Sequence, residues 1–169
     1  MKKFELTAEF VTNVFGKKLF RIKALVAFGN VEKGELGGFI EKEDNLSHDG
    51  DAWVYGDAWV YGDARVYGDA RVSGDARVYG GARVSGDARV YGNADYAAVA
   101  GFGRYSRTTT FFRCKDKILR VQCGCFYGDL AQFREIVKKT HGDSKYAKEY
   151  LAIADLMELH FSDECGGEQ

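Results

Sequence analysis

From Gly50 to Ala97 apolar and polar positions repeat every six residues without insertion, in the order Gly-Asp-Ala-X-Val-Tyr or a near copy. Valine returns at Val54, Val60, Val66, Val72, Val78, Val84 and Val90, and an alanine stands four positions after each, from Ala58 to Ala94. In extended chain side chains alternate between faces, so each alanine and the valine two residues later point inward and the X residue between them points out. Gly-Asp then bends the backbone, because glycine takes positive φ freely and aspartate tolerates it better than most residues. Self-similarity at a fixed period signals a solenoid. Three segments close a triangular coil of about eighteen residues, with each coil ~4.8 Å from the next. The pattern therefore predicts a mainly β chain built on a parallel β-helix with a Val and Ala core.

Counting back in sixes from Ala52 puts Leu46 and Ile40 in the small-residue column; counting forward puts Ala100 and Phe102 at inward positions. The expected layout is an N-terminal β cap over 1–37, a solenoid of about four coils over 38–109, and a β-hairpin with two helices over 110–169. In the cap, Phe10 to Phe15 and Leu19 to Leu25 flank a Gly16-Lys17-Lys18 turn, a hairpin whose use is to cover the first coil's unpaired edge. After the coils, Thr110, Phe112 and Cys114 face Cys123, Val121 and Leu119 if Asp116-Lys117 is a two-residue turn, giving a hairpin with one apolar side. Asp129 caps a helix over 130–141 that Gly142 stops, and a second helix runs from Lys145 to about Phe161.

Stacking at eighteen-residue intervals gives three outward columns: Glu41, Trp59, Arg77 and Asp95; Trp53, Arg71 and Arg89; and Ser47, Arg65 and Arg83. Arg65 and Arg83 repel unless neighbouring aspartates compensate. Tyr61 and Tyr79 share a corner, as do Tyr55, Ser73 and Tyr91. Trp, Tyr and Arg are the residues enriched in interface hot spots. The candidate partner-binding residues are accordingly Trp53, Tyr55, Trp59, Tyr61, Arg71, Arg77 and Glu41, with both tryptophans expected at the surface.

Charge and chemistry narrow the function classes. A formal net charge of -1, with an aspartate beside nearly every repeat arginine, offers no basic field for nucleic acid. No apolar run is long enough to span a bilayer, and the start lacks the apolar segment of a signal peptide, so a cytoplasmic protein with free thiols is expected. Cys123-Gly124-Cys125, even with Cys165 or His160, has weak spacing for a metal, and no cofactor or metal is expected. The repeats contain no histidine, and His48, flanked by Asp49 and Asp51, reads as a surface or packed side chain.

The order Val-Tyr-Gly-Asp-Ala-Arg resembles the left-handed parallel β-helix of hexapeptide-repeat proteins, best known from acyltransferases. Left-handedness is what that resemblance implies; the spacing alone leaves the hand open. At the second position those enzymes often carry glycine where this chain has Tyr or Ser, and the histidine and inserted loop they use are missing from the perfect repeats. The cap, Gly34-Glu35-Leu36-Gly37-Gly38-Phe39-Ile40, the coils, Cys-Gly-Cys-Phe-Tyr-Gly and the closing helices together resemble small hexapeptide-repeat proteins of phage, prophage and gut bacterial genomes, labelled polymer-forming or transferase. That resemblance implies a non-enzymatic, oligomeric interaction protein that binds and inhibits a host macromolecule, an anti-CRISPR or other anti-defence role included. The alternatives are a hexapeptide-repeat acyltransferase and a structural, self-assembling protein.

Overall fold

The computed structural model describes residues 1–162. Three strands come first, β1 (Phe4–Thr12), β2 (Lys18–Ala24) and β3 (Leu36–Ile40). Seven two-residue rungs follow, β4 (Trp53–Val54), β5 (Trp59–Val60), β6 (Arg65–Val66), β7 (Arg71–Val72), β8 (Arg77–Val78), β9 (Arg83–Val84) and β10 (Arg89–Val90). Then come β11 (Tyr96–Phe102), β12 (Arg107–Arg113), β13 (Leu119–Cys123), β14 (Phe126–Asp129), α1 (Leu130–His141) and α2 (Lys145–His160).

The rungs pair in parallel at eighteen-residue intervals, Trp53 with Arg71 and Arg71 with Arg89, Trp59 with Arg77, and Arg65 with Arg83. Each rung from β4 to β7 donates from its outward residue and from the residue after its valine, as in Trp53 N–H to Ala70 O at 3.1 Å and Tyr55 N–H to Val72 O at 2.7 Å. The corner glycines, Gly50 to Gly86, all have positive φ, which makes the hexapeptide turn possible at that position. Every repeat valine is fully buried, as are Ala52 to Ala88, so the Val and Ala core lies where alternation places it.

Toward the N-terminus the spacing changes. Phe39 and Ile40 pair with Trp59 and Val60, and Leu46 bridges to Val66, intervals of twenty residues. Two extra residues therefore sit in the corner between Leu46 and Val54, around His48. As a result Ile40 and Leu46 occupy the valine column, not the alanine column, and Phe39 rather than Glu41 lies over Trp59. β1, β2 and β3 pair antiparallel with one another, and β3 joins β5 and β8 in parallel in the same sheet, so the cap continues a solenoid face. The hairpin turn spans Asn13 to Lys17, whose fold is set by Asn13 Oδ1 accepting from the amides of Phe15 and Lys17.

Both solenoid ends are closed by side chains that replace the missing rung. At the N-terminal end Asn45 Nδ2 donates to Gly62 O and Ala64 O, Lys3 Nζ to Gly50 O and Ala52 O, and Arg21 to Gly37 O and Gly56 O. At the other end Asn93 Oδ1 accepts from Arg77 N, Thr110 Oγ1 from Arg83 N, and Tyr96 donates to Arg77 O. Pairing these groups removes the open edge that would template aggregation.

The coils end earlier than residue 109. After Val90 a short 3-10 turn at Asn93–Asp95 breaks the repeat, Ala94 and Ala100 are exposed, and Phe102 is 43% exposed. Tyr96 already begins an antiparallel sheet, β11-β12-β13-β14. Within it, Phe111 pairs with Val121 and Phe112 with Arg120, one residue away from the register of a two-residue turn. The cause is a longer turn: Cys114 N–H reaches Ile118 O, and Lys117 takes positive φ. Phe112, Cys114 and Tyr96 consequently join the solenoid core, whereas Phe111 and Val121 pack on Phe133, Tyr150 and Met157 of the helices. The sheet is apolar on both sides, a middle layer between coils and helices. Asp129 caps α1 reciprocally with Gln132, Ser144 caps α2, and Ile136 points to solvent at 37% exposure.

Candidate partner-binding face

On the face made by β3, β5 and β8 the outward residues Phe39, Trp59 and Arg77 are successive register partners. Arg21 of β2 closes the row from the cap, its guanidinium 4.2 Å from the centre of the Phe39 ring, and Arg77 lies 3.6 Å from the centre of the Trp59 ring. Two cations thus bracket two aromatic rings. Arg21 is fixed by Glu9 at 2.8 Å and Asp57 at 3.2 Å, which hold its pKa above the usual range against the effect of burial. The Arg77–Trp59 contact, at the surface, contributes about 0.5 to 1 kcal/mol, and the Arg21–Phe39 contact is on a buried ring.

The adjoining corner carries a second row. Tyr61 and Tyr79 stack with centroids 5.3 Å apart and planes 12° off parallel, and Trp59 meets Tyr61 edge-on at 6.3 Å. Burial pushes the phenol of Tyr61 above its ordinary pKa and that of Tyr96, the next tyrosine along, well above it. Tyr79 is 54% exposed. Beside it a cavity of ≈ 550 Å³ is lined by Tyr61, Arg77, Tyr79, Asn93 and Tyr96. The strip offers large rings and a planar cation, each already held by a neighbour, so docking would cost little side-chain entropy.

A family model described as the YdcK Beta solenoid repeat matches residues 58–72, 64–80, 70–86 and 82–94. The chain contains a β-solenoid. No curated protein matches it. The matched span holds Trp59, Tyr61, Arg77 and Tyr79, whereas Arg21 and Phe39 come from outside it.

The seven residues singled out from the sequence divide. Trp59, Tyr61 and Arg77 come together in the strip. Trp53 does not: it is fully buried, with Phe28 at 5.3 Å and Phe4 at 6.3 Å meeting its ring edge-on. It points out of its coil, as alternation requires, but the cap folds over it and removes it from any contact surface. Tyr55 is half-buried against the same core, with a pKa raised by burial, and Arg71 is half-buried between Trp53 and Arg89 in the β4-β7-β10 row. Glu41 occupies a corner, where its carboxylate accepts from Gly62 N–H at 2.9 Å. Arg21 and Phe39 were not singled out. The Phe39-Ile40 pair, an outward aromatic followed by an inward aliphatic, is the signal that identifies a rung there.

His48 sits in the expanded corner, stacked on Phe4 at 4.2 Å. Its Nδ1 accepts from the Lys3 amide at 3.1 Å, which places the proton of the neutral ring on Nε2, 4.0 Å from Glu43. The one basic nitrogen is therefore already used, and the ring has none left to take a proton from a substrate. Cys114 is buried, Cys123 half-buried under Thr109 Oγ1 at 3.3 Å, and Cys125 exposed, while Cys165 lies outside the described residues. Among the described residues no group of three or more His, Cys, Asp or Glu side chains is placed to hold a metal, and no helix is long and apolar enough to cross a membrane.

Proposed function

We propose that this chain is a non-enzymatic interaction protein that docks a protein partner on the strip formed by Trp59, Arg77, Tyr61 and Tyr79, with Arg21, seated over the buried Phe39 ring, extending it onto the cap. The observation that carries the reading is the joining of two stacked rows, one of two rings bracketed by two cations and one of tyrosines, on a rigid β ladder with Tyr79 left open. The occupied Nδ1 of His48 weighs against the acyltransferase alternative. Capped ends weigh against end-to-end stacking of coils, which leaves lateral association through the same strip as the form self-assembly would take. Inhibition of a host macromolecule, the phage-type grouping and left-handed winding are parts of this proposal that rest on the sequence resemblance; a cytoplasmic location rests on the apolar pattern of the sequence, and the count of about four coils on its six-residue period.

The test is a comparison of wild-type chain with the double variant Trp59→Ser, Tyr79→Ser, by partner capture from source-cell lysate and by light scattering. The double variant should fold, because neither residue is in the buried core, and should lose partner or self-association. Retention of both would place the interface elsewhere.

A further inference from the structure

The third solenoid face carries a different chemistry. Arg65 of β6 and Arg83 of β9 are register partners, so two exposed guanidinium side chains leave the sheet one strand spacing apart, about 4.8 Å. Like charges at that separation repel unless a counter-charge lies between them. In the repeats that counter-charge is the aspartate after the corner glycine, present at positions 51, 57, 63, 69, 75 and 87. At position 81, two residues before Arg83, it is replaced by glycine. Packing explains the small residue, since a Cβ on Gly81 would come within 2.7 Å of Thr108 Oγ1. The consequence is electrostatic: a carboxylate is missing there, and Arg107, next to Thr108 in the chain, lines the same cavity as Gly81.

Arg83 and Arg107 line one cavity of ≈ 620 Å³, together with Tyr67, and Arg65 lines the adjoining cavity with Arg83 and Tyr67. Among the described residues no carboxylate lies within ion-pair distance of Arg65, Arg83 or Arg107, and none of the three guanidinium groups donates a hydrogen bond within the chain. Asp63, which shares the larger cavity, is held by Lys42 at 3.0 Å, and of the carboxylates lining the adjoining one Glu43 is held by Lys2 at 2.7 Å, while Asp44 and Asp49 lie beyond ion-pair distance of the arginines. Arg65 and Arg83 thus present two forks without carboxylate partners to a groove that Tyr67 also lines, and Arg107, its guanidinium 4.9 Å from the centre of the Tyr105 ring, lines the far edge. Arginine forks match tetrahedral oxyanions with paired, charge-assisted hydrogen bonds.

We infer that Arg65, Arg83 and Arg107, with Tyr67, form a binding site for a small phosphate-bearing anion, a diphosphate by preference because the guanidinium groups come from successive positions along the groove. The site lies on a different solenoid face from the aromatic strip, so its success or failure is independent of that reading. It is tested by calorimetric titration of the full chain with sodium pyrophosphate and, separately, sodium phosphate, at constant ionic strength in chloride buffer. Pyrophosphate should bind saturably at millimolar concentration or below and phosphate more weakly. Arg83→Gln and Arg107→Gln should each weaken pyrophosphate by roughly tenfold or more, the loss expected for one charge-assisted pair. Arg104→Gln, which changes an exposed arginine outside this cavity, should leave it unchanged. Melting temperatures within a degree or two of wild type confirm the fold; Arg65→Lys, which keeps the charge and removes the fork, provides a second reading and should also weaken binding. Absence of saturable binding, or equal affinity in Arg83→Gln, overturns the site, as does an equal loss in Arg104→Gln.

Discussion

Trp53→Ala should be far more damaging than Trp59→Ala, although the two tryptophans stand at the same position of consecutive repeats. Trp53 is fully buried, and removing it opens a void between Phe4, Phe28 and the valine core. A buried tryptophan withdraws 150–250 Å² from water, which at about 25 cal/mol per Å² is roughly 4 to 6 kcal/mol against an extended chain. A compact denatured state lowers that by 10–40%, to about 3 to 5 kcal/mol, the range measured for large aromatic truncations in cores. Its Nε1–H has no hydrogen-bond partner, so Trp53→Phe should be milder than its loss of volume suggests. Trp59 is half-buried and would lose part of its area and the contact with Arg77, about 1 to 2 kcal/mol. Urea unfolding followed by far-ultraviolet circular dichroism measures both, provided the slope with denaturant stays constant. Costs within about 1 kcal/mol of each other would refute the burial of Trp53 under the cap.

Val72→Asp should abolish or gravely weaken folding while Arg71→Asp is tolerated, because the valine is fully enclosed and burying it is worth about 1.5 to 3 kcal/mol before the cost of an enclosed carboxylate; equal melting temperatures would reject the inward column. Asn45→Ala should cost about 2 to 4 kcal/mol by urea midpoint, since it leaves two carbonyls of the first coil and the Lys42 amide unpaired; a loss under about 0.5 kcal/mol would show that the end needs no such cap. Burial pushes the ammonium of Lys3 down to about 8, below its value in the unfolded chain, so its protonated form opposes folding fully below pH 8 and the opposition fades as pH rises toward about 10. Stability should therefore increase between about pH 8 and 10 and the increase should vanish in Lys3→Met; a flat wild-type profile would contradict it. Above about pH 10 the trend should reverse, as Tyr127 and Tyr150, raised to about 12 by burial, resist ionisation only in the folded state.

The periodic part of the fold is legible because period-two alternation inside a six-residue repeat leaves no freedom: Val54 to Val90 must share a side, and they do. Legibility stops where contacts become long-range. Trp53 points outward from its coil as the alternation dictates, yet Phe28 and Phe4, 25 and 49 residues earlier, cover it, and no local pattern carries that information. The corner around His48 holds two residues more than the repeat, so counting in sixes slides Ile40 and Leu46 into the wrong column and hides Phe39. A turn longer by one residue moves Val121 from the Phe112 side of the sheet to the Phe111 side. There a signal was present: adjacent phenylalanines on one strand mean that both faces are covered. Of the aromatic strip, Trp59, Tyr61, Arg77 and Tyr79 follow from spacing alone, while the bracketing Arg21 depends on how the cap pairs with β3.

The proposed interface is tested most directly by site-specific photocrosslinking in the source cell, with p-benzoylphenylalanine placed at Tyr79 in the strip and, as control, at exposed Lys139 of α1. The probe at position 79 should give adducts of defined mass that disappear when Trp59→Ser is added, and the probe at 139 should give none. Adducts equally abundant from both positions, or none from position 79, would contradict the assignment of this face to a partner.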